Sequence, residues 1–379
     1  MIARRLRPFG TTIFTEMSAL ALSTGALNLG QGFPDADGPE EIVEAVNTAM
    51  RSGANQYAPL AGVPELRAAI ADHQRRRYGL QVDPDDGVQV TFGATEAIAA
   101  AMLGLLEPGD AVVVLEPYYD CYAPAIAMAG GERRLVTLRP PDFAVDLDAL
   151  AQAAAGARML LLNSPHNPTG RVLTRAELEA IASICVEHDL IAVTDEVYEH
   201  LVFDGEHIPL ATLPGMAQRT LTISSAGKSF SFTGWKTGWC SGPPELVAGA
   251  RAAKQFLSFA GGTPLQHAVA AALADAERHV APLCASLRAG RDLLCEGLSS
   301  AGFGVSIPQG TYFVQADVAP LGVSDAREWC RELPGRAGIV AIPTSAFYDD
   351  AEAGRTLVRF AFCKRAAVIE EAVVRLNAL

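Results

Sequence analysis

The strongest constraint on the fold is a series of short, almost wholly apolar runs: AVVVL at 111–115, RMLLL at 158–162, LIAV at 190–193 and RTLTI at 219–223. Stretches with helical periodicity separate them. A strand without polar and apolar alternation is buried on both faces, and a mostly parallel sheet flanked by helices buries it that way. Between residues 38 and 265 the pattern therefore predicts a large α/β unit. Helix punctuation agrees: Thr174 stands three residues before Glu177 and opens TRAELEAIASICVEHD, a capping-box signature on an amphipathic helix. Beyond Pro264 the texture changes to a long Ala/Leu-rich helical stretch reaching Gly302. Separated strands follow at TYFVQAD (311–317), GIVAI (338–342) and TLVRFAF (356–362), with a last helix to Leu379. This predicts a smaller α+β domain over 266–379, to which residues 1–37 add an N-terminal arm, with the boundary near 265 inside or beside a helix.

Composition narrows the function. Acidic residues number 43 and basic ones 30, a net charge of −13, and no Lys/Arg block rises above that background, so nucleic acid is not an expected partner. The longest strongly apolar run, Ala97 to Leu106, is about half of the roughly 20 residues a membrane-spanning helix needs, so no membrane partner is expected. Arg4, Arg5 and Arg7 precede an apolar stretch as in an export signal, but Thr11, Thr12 and Glu16 break it. Seven cysteines, an odd count without a C-x-x-C pair, signal neither a disulfide framework nor a zinc site and fit a reducing cytoplasm.

Four clusters carry chemistry. In SSAGKSFSFTGWKTGW, Ser224 to Trp239, Lys228 follows an apolar strand among small residues that leave room for a ligand, and Lys236 adds a second positive charge nearby. A partly desolvated lysine flanked by cations forms Schiff bases with carbonyl compounds; a solvated loop lysine is the plain alternative. In VTDEVYEH, Asp195 ends an apolar strand, where ligands of open α/β sheets bind, and Tyr198 follows. A helix cap would also place an Asp there. NSPHNPTG, Asn163 to Gly170, follows another strand and is rich in turn formers, so Asn167 is a site candidate or the cap of an ordinary turn. VTFGATEAIAAAMLGLL reads as a strand, Gly93, and a helix opening at Thr95, whose free N–H groups make a weak anion-site signal.

Taken together and in this order, the clusters resemble the class I/II aminotransferases of the fold-type I pyridoxal-phosphate enzymes. The resemblance spans nearly the whole chain, through NLGQGFPD (28–35), NQYAPLAGVPELR (55–67), EPYYDCY (116–122), SPHNPTG, TDEVYEHL, SSAGKSF, TGWKTGW and LVRFAFCK (357–364). Lys236 in TGWK, where most class I members have Arg, is similar to the kynurenine, glutamine and methionine aminotransferase branch. The motif set also looks like actinobacterial N-succinyldiaminopimelate aminotransferases.

The resemblance implies a mostly parallel, seven-stranded-type sheet and a site residue by residue. Lys228 would hold pyridoxal phosphate as a Schiff base and move the proton. Asp195 would face the pyridine nitrogen, keeping it protonated so that the ring acts as an electron sink. Tyr198 and Asn167 would bond the ring's 3-oxygen, and Tyr119 would stack on the ring, an ordinary core aromatic being the alternative. Gly93, the N–H groups of Ala94 and Thr95, Ser225 and Lys236 would hold the phosphate, with Tyr57 reaching it from the partner of a homodimer. Arg359 would clamp the substrate α-carboxylate in two-pronged fashion, rather than brace an edge strand through a salt bridge, and Gly32 would add a backbone contact. Phe14, Phe33, Tyr118, Tyr122 and Tyr348 are candidates for the side-chain pocket or plain core.

The reaction expected is exchange of the α-amino group of an L-amino acid with a 2-oxo acid, glutamate/2-oxoglutarate forming one pair. A pyridoxal-phosphate lyase or cyclase would use the same lysine, sink and clamp, and is the alternative at this stage. A nicotinamide-binding domain lacks its G-x-G-x-x-G after any predicted strand. The aminotransferase-like half of a transcription regulator would need an added DNA-reading domain.

Overall fold

A computed structural model describes residues 2–379. Seven strands form the central sheet in the order Val88–Phe92, Thr237–Ser241, Thr220–Ser225, Ile191–Asp195, Met159–Asn163, Ala111–Glu116 and Glu132–Thr137. All neighbours are parallel except Thr237–Ser241, which runs antiparallel to the strands on either side of it. The apolar runs form its middle, and successive residues of one strand serve opposite faces. Val112 and Val114 join one core with Ile98, Ile126 and Val193, while Val113 and Leu115 join another with Leu150, Leu178 and Ile181. Side chains alternate across a strand, so two covered faces require apolar residues at every position. The helix Arg175–Glu187 starts in the expected capping box, the Thr174 side chain accepting from Glu177 N and the Glu177 side chain accepting from Thr174 N.

The second sheet is antiparallel, in the order Ile342–Pro343, Leu357–Ala361, Phe313–Asp317 and Gly304–Ser306. Its core includes residues of the helices Ile13–Thr24, Ala276–Ser300, Ala326–Ala337 and Ala366–Leu376. Two expectations need correction here. GIVAI is two strands: Ile339–Val340 pairs in parallel with Leu27–Asn28, and Ile342–Pro343 pairs with Leu357–Ala361. The run serves two sheets in turn, and Pro343, which has no N–H to give a ladder, sits in an edge strand. The long helical stretch is also divided, into Thr263–Ala274 and Ala276–Ser300, because Asp275 leaves the helical region at φ −133° and ψ 51°. Residue 265 lies inside the first of these helices.

The parallel strands end together. Asn163, Asp195 and Ser225 are the last residues of three adjacent strands. The turn at Gly93 follows the edge strand Val88–Phe92 at the same end, in register with Thr237 and Gly238. Open α/β sheets bind ligands at this rim.

Candidate active site

Asp195 is buried at its strand end. Tyr122 Oη donates to its Oδ2 at 2.7 Å and Val197 N to its Oδ1 at 3.3 Å. Burial pushes its carboxyl up to about 6, against the lowering by these two donors and by the Lys228 charge. Asn163 ties the neighbouring turn to it, its Nδ2 donating to Asp195 O at 2.7 Å while its Oδ1 accepts from Asn167 N at 2.7 Å.

Lys228 lies in the one-turn helix Ala226–Ser229 that follows Ser225. Its Nζ donates to Tyr312 Oη at 2.7 Å, with Gly32 O at 3.5 Å. Burial brings the amine down to about 8; Lys236 and Arg359 push the same way, and Cys363 and Asp195 oppose them. A lysine ordinarily titrates near 10.4, so this one keeps a sizeable neutral, nucleophilic fraction near neutral pH.

An anion cradle faces the lysine. The helix Gly93–Leu105 starts at Gly93 rather than at the expected Thr95, and Gly93 itself has φ +71°, a conformation glycine adopts at little cost. The first N–H groups of that helix have no intrahelical acceptor. Lys236, held at φ +51°, lies over them: a Cβ placed on Gly93 would sit 3.3 Å from Lys236 Nζ. Across the cradle, a Cβ on Gly238 would stand 2.6 Å from the Gly93 backbone, so the neighbouring strand presses directly on the turn. Backbone donors, a dipole end and an ammonium make a site for a dianionic phosphate.

Arg359 is only 1% exposed, and its strand is internal rather than an edge. Among the described residues no carboxylate lies within ion-pair distance of it, which removes the salt-bridge alternative. Nη1 donates to Asn167 Oδ1 at 3.1 Å and Nη2 to Gly30 O at 3.0 Å, and Nε has no partner. The rings of Phe313, Phe347 and Phe14 surround the guanidinium, with centroids 3.9, 4.9 and 5.2 Å from Cζ. Burial lowers it to about 10, which still leaves it cationic near neutral pH. A buried cation without an anion is costly, and a carboxylate entering the cleft would offset that cost.

One cleft is lined by Phe14, Gly32, Gly93, Ala94, Thr95, Tyr119, Asn167, Asp195, Tyr198, Ser225, Lys228, Lys236 and Arg359. Tyr57 is outside it, 85% exposed, with its ring edge-on to Phe259. Four side-chain-pocket candidates lie elsewhere than expected. Tyr122 sits beneath Asp195, Tyr118 donates to Asp349, and Tyr348 donates to Leu138 O at 2.9 Å. Phe33 is half-exposed beneath Lys364, whose Nζ is 4.6 Å from the ring centroid. Sequence reading missed Tyr312, which belongs to a run read only as a strand, and the separate jobs of Asn163 and Tyr122 inside quoted motifs. No periodicity marks any of the three.

The cleft thus combines a nucleophilic amine, a buried carboxylate, an anion cradle and a free guanidinium, the equipment of an enzyme that binds a phosphorylated carbonyl cofactor and an amino acid together. Comparison with known proteins agrees. Residues 24–376 match the family model for class I and II aminotransferases. The probable N-succinyldiaminopimelate aminotransferase of Mycobacterium tuberculosis is 54% identical over 391 residues, covering 100% of this chain and 98% of the relative. A solved structure of N-succinyldiaminopimelate aminotransferase from the same species is 55% identical, with a TM-score of 0.98 and both chains covered 100%. The methionine aminotransferase of Escherichia coli is 40% identical, over 99% of this chain and 97% of the relative. The chain belongs to the class I/II aminotransferases, enzymes dependent on pyridoxal phosphate. The lyase and cyclase alternative finds no support among these relatives.

Proposed function

We propose that this aminotransferase acts on N-succinyldiaminopimelate, with glutamate and 2-oxoglutarate as the other amino donor and acceptor pair. The 54% identity over the whole chain supports the first substrate. The observation that carries the mechanism is the cleft in which Lys228 is half-buried and Arg359 fully buried, with neither contacted by a carboxylate among the described residues.

The residues fit pyridoxal phosphate: the Gly93–Thr95 N–H groups, Ser225 and Lys236 would hold its phosphate, Asp195 its ring nitrogen, and Asn167 and Tyr198 its ring oxygen. Tyr119, in the cleft wall, would pack against its ring. When bound, the cofactor supplies a carbonyl carbon that bonds reversibly to amines and a ring that accepts the electron pair left at the substrate Cα. Lys228 Nζ would hold it covalently. Displaced by substrate, that nitrogen would take the proton from Cα and return it two bonds away, a task suited to an amine lowered toward neutrality by burial. Asp195 would keep the ring nitrogen protonated. Arg359 receives the α-carboxylate on its fork while Asn167 and Gly30 fix its plane. Gly32 and Phe14 line the same end of the cleft.

The protein works as a cytoplasmic homodimer in which the partner subunit's Tyr57 completes the phosphate site. Support comes from the exposed Phe259, edge-on to Tyr57, with Phe256 exposed three residues earlier, and from seven free cysteines, as a reducing compartment keeps them. The two domains expected to divide near residue 265 divide instead further on, inside the helix Ala276–Ser300, since Ala276 and Val280 pack with Ile42, Leu66 and Trp239, while Leu287 onward packs with the second sheet.

A donor panel tests the substrate. With 2-oxoglutarate as acceptor, N-succinyldiaminopimelate should give the highest kcat/KM against methionine, kynurenine and aspartate. A tenfold preference for any of those would overturn the assignment.

A further inference from the structure

We propose that Tyr312 is the dock of the Lys228 amine: its hydroxyl and the Gly32 carbonyl hold the nitrogen so that its remaining valence, lone pair or proton, faces the cleft. This rests on the reading of Lys228 as the cofactor-bearing lysine.

The hydrogen bonds fix the directions. Tyr312 Oη donates to Gly32 O and accepts from Lys228 Nζ at 2.7 Å. A phenol has one proton; with that proton committed to the Gly32 carbonyl, the oxygen can only accept from the lysine. Gly32 O lies at 3.5 Å from the same nitrogen, close enough to take a second N–H after a small shift. A neutral amine has two N–H bonds and one lone pair. When both N–H bonds point at Tyr312 and Gly32, the lone pair is left for the cleft, where it can take a proton. The ammonium keeps the same two bonds and aims its third N–H into the cleft, where it can give the proton back. In the forward transfer the Cα–H bond breaks, an N–H bond forms, and the electron pair stays behind on carbon; Tyr312 is unchanged throughout.

The dock is rigid. Tyr312 is 2% exposed, and its ring meets Tyr198 edge-on at 5.3 Å and 88° and Phe313 at 4.9 Å and 66°. Lys228 Nζ stands 5.3 Å from the Tyr312 ring centroid and 5.7 Å from that of Tyr198. Around the nitrogen, Asp195 and Cys363 favour the charged form while Lys236 and Arg359 disfavour it. An acceptor hydroxyl at contact distance favours the ammonium, so its removal moves the amine further down.

Tyr312→Phe tests the dock, since it keeps the ring and removes the acceptor. In the cofactor-free protein, the pH dependence of Lys228 acetylation by acetic anhydride, followed by mass spectrometry, should have a midpoint near 8 in the wild type. The variant's midpoint should be clearly lower. In the loaded enzyme, kcat should fall about 10- to 100-fold, as expected for a lost hydrogen bond to a charged group. KM for the amino acid should change less than about twofold, and the isotope effect of a Cα-deuterated donor on kcat should grow. An unmoved midpoint overturns the proposal, and so does a kcat within twofold of wild type. If Tyr312→Phe does not fold, 3-fluorotyrosine at position 312 provides a weaker acceptor of the same shape, and its midpoint must move the same way. Borohydride reduction and peptide mapping separate the two layers of the argument. A label on another lysine removes the reading of Lys228, whereas a label on Lys228 with an indifferent Tyr312→Phe removes only the dock.

Discussion

Replacing Arg359 by lysine keeps the charge and removes the fork. The guanidinium now bonds Asn167 Oδ1 and Gly30 O and lies among three aromatic rings, with no carboxylate among the described residues in ion-pair contact. A substrate α-carboxylate meeting that plane can take two charge-assisted bonds, while an ammonium supplies a single point contact. One such bond contributes about 1.5–3 kcal/mol, so Arg359→Lys should weaken substrate binding by about 10- to 150-fold. The loss should be equal for glutamate, 2-oxoglutarate and N-succinyldiaminopimelate, because every one of them carries the α-carboxylate. No protein anion is left unpaired by the change, so the melting temperature should stay within about 3 °C. The assay is titration of each substrate into wild type and variant, with an amine lacking the α-carboxylate as control. That amine should bind both proteins alike. An equal loss for the carboxylate-free amine would refute the clamp, and a loss confined to acidic side chains would move Arg359 to the side-chain pocket.

Asp195→Ala should reduce turnover at least 100-fold while the cofactor still attaches to lysine; a loss below tenfold would show that Asp195 is not the electrostatic partner of the ring. The Asp195 carboxyl, pushed up to about 6 by burial, loses its charge as pH falls through that value, so the affinity of the cofactor-free protein for pyridoxal phosphate should drop below pH 6. Tyr122→Phe removes a hydroxyl that lowers this carboxyl. The drop should therefore begin at higher pH, and an unshifted profile from cofactor titrations would contradict the assignment. Tyr57→Ala, although exposed and outside its own chain's cleft, should weaken cofactor affinity about tenfold without changing the circular dichroism spectrum; unaltered affinity would remove the cross-subunit contact.

The parallel sheet was legible because burial on two faces leaves no polar position in a strand, as Val112 to Leu115 illustrate by feeding alternate cores. Motifs at the strand ends were legible for a related reason: small residues and turn formers mark where the chain leaves the sheet beside a ligand. What stayed hidden is tertiary. The split of GIVAI depends on Leu27–Asn28 pairing with Ile339–Val340 from more than 300 residues away in sequence. Tyr122 stands in a quoted motif, yet its pairing with Asp195 crosses from the start of the helix Tyr122–Ala129 to another strand. Tyr312 shares a run with core residues, and only the approach of Lys228 and Gly32 gives its hydroxyl a role. The local pattern puts Arg359 on a strand but not in the interior of its sheet, because strand order is absent from it.

The central claim is that this cleft passes an amino group from one substrate to another. A single-turnover experiment with glutamate labelled with ¹⁵N tests it most directly. Before any oxo acid is added, each active site should release one equivalent of 2-oxoglutarate and keep the label on the protein. Addition of an acceptor oxo acid should then transfer the label to a new amino acid, with no free labelled ammonia. Continuous release of labelled ammonia without an acceptor would contradict the account.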